Sequence, residues 1–399
     1  MSYLKIVDVT KQGTINLTPT RTVSPRTLFD SKQLYNNQSL GWVSSSISAS
    51  FTYSQNRAST ILAVSGTSGS SAVMQSKQRV VYQPGKHTQV LISFVGNETP
   101  AGVVKRIGLY DGANGIFFED SGSSLSLNIS SKVTGTPVIT RVSQSAWNLN
   151  KFDGTGVPPI VLDPTKAQIF ASEFQWLGVG QVYVGFVIDN VLLIGHEFSF
   201  TNSNTSVFMS TPNLPIRHEM FSLGSANTGS LEQICSSVAS EGGESSTGFI
   251  HSVNRGITVQ SVSNTLISLL SIRMAPSSSQ GANVVLDSLN IAPAKDINAV
   301  FYWALLYNPV LSGGDTAVWI PVSGSVVQYD ISRTNTIADS NMIIDSGYGL
   351  TESLKVLQTS DKVLGIDLNG VSDQIVLAVQ MSAVAAVNFL GSLSWREIW

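Results

Sequence analysis

The side chains most suited to chemistry lie in a few short clusters. His196-Glu197 follows a β-type run, with Glu173 and Asp189 in the adjoining runs. An imidazole beside a carboxylate binds a metal or moves a proton when both face one cavity. It also occurs as a plain hydrogen-bonded pair at a strand end, and the His-Glu-x-x-His spacing of zinc sites is missing. Arg217-His218-Glu219 alternates, which puts Arg217 and Glu219 on one strand face as a local ion pair and His218 on the other. Asp111-Gly-Ala-Asn-Gly115, with Glu119 and Asp120, sets oxygens around a turn. Calcium would use such oxygens, but turn chemistry alone accounts for Asp, Asn and Gly there, and the EF-hand loop pattern is lacking.

The other motifs read as structural. Gly178-Val-Gly180 and Asp153-Gly-Thr-Gly156 neither precede a helix nor carry the lysine of a phosphate loop. Ser121, Ser123 and Ser124 lack a Gly-x-Ser-x-Gly setting. Cys235 is the single cysteine; with no histidine nearby it reads as a small buried apolar residue. A glycan-cleaving enzyme needs two carboxylates facing across a groove, and Glu119, Glu173, Asp189 and Glu197 are the acids that such a groove would use. Trp42, Trp147, Trp176, Trp303, Trp319, Trp395 and Trp399 sit mostly in alternating runs, as core residues do. No catalytic, cofactor-binding or metal-ligating residue is therefore expected, and no cofactor.

Strands position these residues. Runs at Gln89–Val95, Val103–Tyr110, Gly115–Glu119, Ser124–Ile129 and Val138–Val142 are separated by Gly96-Asn97, Asp111-Gly112, Asn114-Gly115 and Ser121-Gly122. Such pairs supply the φ values of tight turns, and strands at this spacing build a sandwich or barrel. Val80–Tyr82 is a further short run. Ala167–Leu177, Gln181–Ile188 and Val191–Phe200 form an antiparallel meander turned at Gly178-Val-Gly180 and Asp189-Asn190. The stretch from Trp147 to Pro164 reads as an ordered surface loop. Ile216–Leu223 is one more strand, and Leu231–Ala239 has spaced apolar positions. From Thr258 the pattern resumes through Leu266–Arg273, Val284–Ile291, Asn298–Tyr307, Ala317–Ile320, Val326–Ile331, Met342–Asp345, Ile375–Met381 and Ser392–Trp399.

The expected fold is all-β: a jelly-roll or concanavalin-like antiparallel β-sandwich followed by a second sandwich-like domain. The expected divisions are an N-terminal arm or partial strands over 1–75, the first sandwich over 76–224, a linker over 225–250 and the second sandwich over 251–399. Of the 399 residues 42% are hydrophobic, enough for real cores. Only 12% are charged, against about 25% in ordinary globular chains. A surface of hydroxyls and amides suits a pleated sheet, and it suits burial under a neighbouring molecule, because burying a charge costs more. The net charge of −3, without Lys/Arg clustering, argues against nucleic acid as a partner. One cysteine excludes an intrachain disulfide. The start has no secretory-signal pattern, and Ile375–Leu393 is interrupted by Gln380, Ser382, Asn388 and Ser392, so no membrane span is expected.

Several segments resemble uncharacterised virion proteins of tailed bacteriophages, with related segments in some large DNA viruses. They are Arg106-Ile-Gly-Leu-Tyr-Asp-Gly-Ala-Asn-Gly-Ile-Phe-Phe-Glu119, Trp147-Asn with Phe152-Asp-Gly-Thr-Gly156, Leu162–Phe170 and Glu173-Phe-Gln-Trp-Leu-Gly-Val-Gly180. His196-Glu-Phe198, Met209–Arg217 and the terminal Leu393-Ser-Trp-Arg-Glu-Ile398 belong with them. The resemblance is strong over about residues 100–220, modest at the end and absent at the N-terminus, and it transfers no catalytic residue. It implies a non-enzymatic virion structural protein made in the host cytoplasm: a capsid decoration or cement protein, or a head fibre. Its partners would be itself, as a homo-oligomer such as a trimer, and other virion proteins such as the major capsid protein. The alternative is a tail-associated protein that binds a receptor or a host surface glycan, and a glycan depolymerase stands behind that.

Overall fold

The computed structural model describes residues 25–399 apart from 39, 225–226, 243–247, 257–259, 277–281, 296–298, 315–316, 341, 351–353, 358–362, 383–385 and 399. The chain divides into two units, Met1–Ser245 and Ser246–Trp399. Among the described residues the only helical element is a 3-10 turn at Gln144–Ala146, and no helix is long and apolar enough to cross a membrane.

Unit one opens with β1 (Arg26–Lys32), β2 (Trp42–Ile47), β3 (Ala49–Ser54), β4 (Ser59–Val64) and β5 (Ser71–Ser76). Next come β6 (Thr88–Val95), β7 (Val103–Tyr110), β8 (Gly115–Asp120), β9 (Leu125–Ser131) and β10 (Val138–Ser143). The unit closes with β11 (Ala167–Phe174), β12 (Gln181–Ile188), β13 (Val191–Ser199), β14 (Ile216–Ser222) and β15 (Gly229–Ser240). Sheet I runs β13-β12-β11-β6-β15-β4-β3, with β1 also on β15; sheet II runs β10-β9-β8-β7-β14-β5-β2. Every named pairing in them is antiparallel.

Strict alternation explains how the two sheets pack. On β6, Val90, Ile92 and Phe94 point inward, and on β14 Ile216, His218 and Met220 do. Phe170, Val184 and Phe186 of sheet I meet Ile107, Leu109, Ile116, Phe118, Leu127 and Ile129 of sheet II in one core. Phe118 stands edge-on to Phe186 at 5.4 Å, the quadrupole-favoured arrangement. This is the jelly-roll, concanavalin-like sandwich that the strand pattern predicts.

Unit two is the second sandwich. Its first strands are β16 (Phe249–Asn254), β17 (Gln260–Val262), β18 (Ile267–Met274), β19 (Asn283–Pro293), β20 (Phe301–Tyr307) and β21 (Val310–Leu311). β22 (Ile320–Pro321), β23 (Val327–Asp330), β24 (Ile337–Asp339) and β25 (Met342–Gly349) follow. The last are β26 (Leu354–Leu357), β27 (Val363–Leu364), β28 (Gln374–Met381) and β29 (Val387–Ile398). Sheet III runs β16-β29-β19-β26, with β17 on β29 and β27 on β19; sheet IV runs β22-β23-β18-β28-β20-β25. Leu289, Ile291, Phe389, Leu393 and Trp395 of sheet III pack on Ile272, Phe301, Trp303, Leu377 and Val379 of sheet IV.

Several sequence expectations need correction. Of the two expectations for 1–75, an arm or partial strands, residues 25–75 hold strands, β1–β5, which belong to sheets I and II; residues 1–24 lie outside the described residues. The expected linker 225–250 holds β15, which lies between β6 and β4 in sheet I. Val80–Tyr82 makes one bridge, Val80 to Leu214, and Ala317–Ile320 contributes only the short β22. The run expected to Leu177 ends at Phe174, because Leu177 and Gly178 turn the chain at φ of 33° and 84°. Trp42, Trp147, Trp303 and Trp395 are core, whereas Trp176 and Trp319 are half-buried; Trp399 lies outside the described residues.

Candidate functional site

The outer face of sheet II carries the densest polar arrangement that the fold assembles in unit one. β7 lies between β8 and β14, so Arg106 faces Glu119 on one side and Glu219 on the other. In the next outward row Phe117, Gly108, Arg217 and Gln75 are partners across β8, β7, β14 and β5. Arg106 Nε donates to Glu119 Oε2 at 2.7 Å, and its Nη1 lies 3.9 Å from Glu219 Oε2. Arg141, reaching over from the edge strand β10, donates to both oxygens of Glu119 at 2.8 and 3.2 Å. Arg217 Nη2 donates to Glu219 Oε1 at 3.0 Å, and the Tyr110 hydroxyl to Glu219 Oε2 at 3.2 Å.

Aromatic rings lie under these cations. The Arg106 guanidinium sits 5.4 Å from the Phe117 ring centre and 4.9 Å from that of Phe221, and Arg217 lies 5.5 Å over Tyr110. Gly108 allows the sheet to close here, because a Cβ would fall 2.7 Å from the Phe117 Cα. Burial, then the Glu219 charge, pushes the Tyr110 hydroxyl well above the usual phenol range. Each carboxylate of the lattice is neutralised by guanidinium groups. The arrangement therefore holds partly buried Arg106 and Arg217 over the buried rings of Phe117 and Tyr110, and leaves no free acid–base pair within it.

A second row crosses the outer face of sheet I. Gln89, Glu173, Tyr183 and Glu197 are successive partners on β6, β11, β12 and β13. Glu173 is buried with His87 Nδ1 at 3.4 Å, while the Tyr183 hydroxyl donates to Gln181, whose amide donates to Glu197 at 3.0 Å. Glu173 and Glu197 thus stand two strands apart, about 10 Å between their backbones. Tyr183 is buried between them rather than open to a groove.

The remaining sequence candidates resolve separately. His196 and Glu197 do not pair: His196 Nδ1 accepts from the Asn148 backbone N–H at 3.2 Å, and its ring lies edge-on to Phe198. Desolvation lowers the His196 pKa to about 4. Asp189 sits in the β12–β13 turn at φ 49°. Arg217 and Glu219 do share a face, and His218 does point the other way, into the core. Asp111 accepts from the Ala113 and Asn114 N–H groups and pairs with Arg79 at 2.8 Å, so its oxygens serve the turn. Asp120 accepts from Thr99 and the Gly122 N–H. Ser121, Ser123 and Ser124 bond among themselves at a turn. Asp153 closes its own turn with Thr155. Among the described residues no three His, Cys, Asp or Glu side chains gather around one point.

Cys235 corrects the expectation of a buried thiol. It is exposed, with its Sγ 2.7 Å from Ser93 Oγ. The pairing of β15 with β6 shifts register between Gln233 and Cys235, and such a bulge turns a side chain away from its alternating place. Sequence reading also missed Arg106 as the hub of the sheet II lattice. Its signal was faint: a cation at an alternating outward position, directly after the inward-facing Lys105, in a strand otherwise apolar.

No family model matches the chain, and no curated protein matches it. Among solved structures it is similar to a glycoside hydrolase family 16 endo-glucanase from Bacteroides ovatus, 11% identical at a TM-score of 0.36. That likeness covers 53% of this chain and 99% of the other. A protein of unknown function from Shewanella oneidensis MR-1 is 10% identical at a TM-score of 0.35, over 58% and 94% of the two chains. The Emp46p carbohydrate recognition domain is 10% identical at 0.29, over 53% and 94%. At these scores the likenesses carry no argument about activity, ligand or site.

Proposed function

We propose that this chain is a non-enzymatic structural protein of a virus particle, a capsid decoration, cement or head-fibre component acting through protein–protein contacts. The arginine-bearing outer face of sheet II carries the reading. Arginine is enriched among the residues that dominate interface energetics. Here Arg106, Arg141 and Arg217 are held in order by Glu119 and Glu219, Arg106 and Arg217 over buried rings, with Arg141 the most exposed of the three. The edge strand β10 continues that face with exposed Ile139 beside Arg141, and among the described residues its far edge has no pairing strand. A sheet edge of this kind is completed by a second copy of the chain or by a strand of another particle protein. The four acids a glycan-cleaving groove would use are dispersed: Glu119 on sheet II, Glu173 and Glu197 on sheet I, Asp189 in a turn. The low charge and the resemblance to virion proteins support the same reading.

The test is the copy number of this chain in purified particles of its virus, measured by isotope-dilution mass spectrometry. On the order of hundreds of copies supports capsid decoration, as expected for symmetric assembly. About six to a few dozen moves the chain to tail or fibre, and absence refutes the particle role. In the purified protein, Arg141→Glu should weaken the homo-oligomer, read as a lower mass in light scattering.

A further inference from the structure

We propose that unit two carries a carbohydrate subsite, formed by the row Gln380–Tyr302–Tyr348 on the outer face of sheet IV and shaped for one neutral pyranose unit. The three residues are direct partners across β28, β20 and β25. Most of this sheet face is closed: Ala304, Leu306, Val376 and Ala378 lie beneath Leu266 and Ile337. The cover stops at Tyr302. Beyond it opens a groove of about 420 Å³ lined by Val300, Tyr302, Tyr348, Gln380, Met381 and Ser382.

The backbone fixes Tyr348 in place. Its neighbours Gly347 and Gly349 face the core, where a Cβ on Gly347 would lie 2.9 Å from the Trp303 indole nitrogen and one on Gly349 would overlap the Phe301 ring. The strand therefore sits directly on the inner rings, and the intervening Tyr348 projects outward, 74% exposed. Tyr302 meets it at 5.5 Å and 51° between ring planes, so the two phenols form a bent wall rather than a stack closed on itself. The Gln380 amide is held by donation from Nε2 to the Asn264 carbonyl at 2.6 Å, leaving Oε1 open as an acceptor.

The chemistry of the lining selects the occupant. An exposed aromatic face attracts the partly positive C–H groups of a pyranose, as the ring quadrupole dictates. The amide, the Ser382 hydroxyl and the phenols offer donors and acceptors to ring hydroxyls. None of the six lining residues is charged, so nothing there compensates a sialate, uronate or sulfate. The volume lies within the usual range for small-molecule sites. This subsite is independent of the structural role, and either can fail alone.

The test is saturation-transfer NMR on the full chain with maltopentaose, cellopentaose, mannopentaose and chitopentaose, irradiating the aromatic protons. At least one probe should bind with a dissociation constant of about 0.1–5 mM. Tyr348→Ala should weaken it by about tenfold, while Tyr348→Phe, which keeps the ring face, should stay within about threefold. Because Tyr348 is exposed, neither variant should disturb folding, and unchanged thermal unfolding checks this. Absence of binding by all four probes at about 10 mM overturns the proposal. So does a Tyr348→Ala variant that binds as the wild type does.

Discussion

Acid should weaken unit one through His218, and the size of the effect follows from where the ring sits. His218 is fully buried on β14, with Met74 and Ile107 as its neighbours on β5 and β7 and the Trp42 ring 5.9 Å away. Neither ring nitrogen has a hydrogen-bond partner. Burial without compensation lowers its pKa from 6.5 to about 3. In the unfolded chain the ring takes a proton at its ordinary pKa, so below pH 6.5 the unfolded state binds the proton that the folded state refuses. Stability is therefore complete above 6.5 and falls as the pH drops from 6.5 towards 3. With 1.36 kcal/mol per unit, the loss is about 2 kcal/mol at about pH 5 and about 3 kcal/mol at about pH 4.

The assay compares urea midpoints of the wild type and His218→Leu at about pH 7.5 and about pH 5, with hydrogen exchange across Ile216–Ser222 assigning the transition to unit one. Carboxylates and His196 titrate alike in both proteins, so the difference between them isolates His218. The wild type should lose about 2 kcal/mol more than the variant over that interval. Equal losses would refute the reasoning, as would an NMR titration of His218 centred on its ordinary pKa.

Two further buried cations give sharper local tests. Lys105 is 2% exposed, its pKa is lowered by burial to about 8, and its Nζ donates to the Gly96 and Glu98 carbonyls at 2.5 and 2.7 Å. Lys105→Met should cost unit one about 2 kcal/mol in chemical denaturation, with the loss of protection centred on residues 96–102. In unit two Arg333 and Asp330 are both fully buried and bonded at 2.7 Å, with Trp319 beneath the guanidinium at 5.1 Å. Arg333→Met should cost about 3–5 kcal/mol, and adding Asp330→Asn should recover most of that, since the penalty is the abandoned charge. A double variant no better than the single one would refute the pairing.

The middle strands were legible because they obey the simplest rule. β7 and β12 keep alternation or a continuous apolar run from one turn signal to the next, and the sequence reading places their ends where the structure does. β2 and β3 escaped it, since WVSSSI and ASFTYS carry too few apolar side chains to mark a face. β15 was legible only in part, as the spaced apolar positions of Leu231–Ala239 within an expected linker. Its buried positions mix Leu231 and Val238 with Glu232, Gln233 and Ser236, and Glu232 is hidden because distant partners satisfy it: Arg57 at 2.5 Å, Ser59 at 3.1 Å and Asn97 at 3.3 Å. A strand whose buried positions are part apolar and part polar gives only a broken hydrophobic signature.

The same limit governs the candidate surface, and its cause is strand order. Arg217 and Glu219 are two residues apart, so their pairing is written in the local alternation. Arg106 joins Glu119 to Glu219 only because β14, which begins over a hundred residues later, inserts between β7 and β5. β15 makes the matching insertion between β6 and β4 in sheet I. Within the two sheets, β2–β5 reach the rest of unit one through these two late strands. The segment that reads as a linker is therefore the staple that closes the sandwich. Loosening β14 or β15 should release the N-terminal strands and dissolve the Arg106 lattice together, which ties the surface proposed for docking to the strand that carries His218.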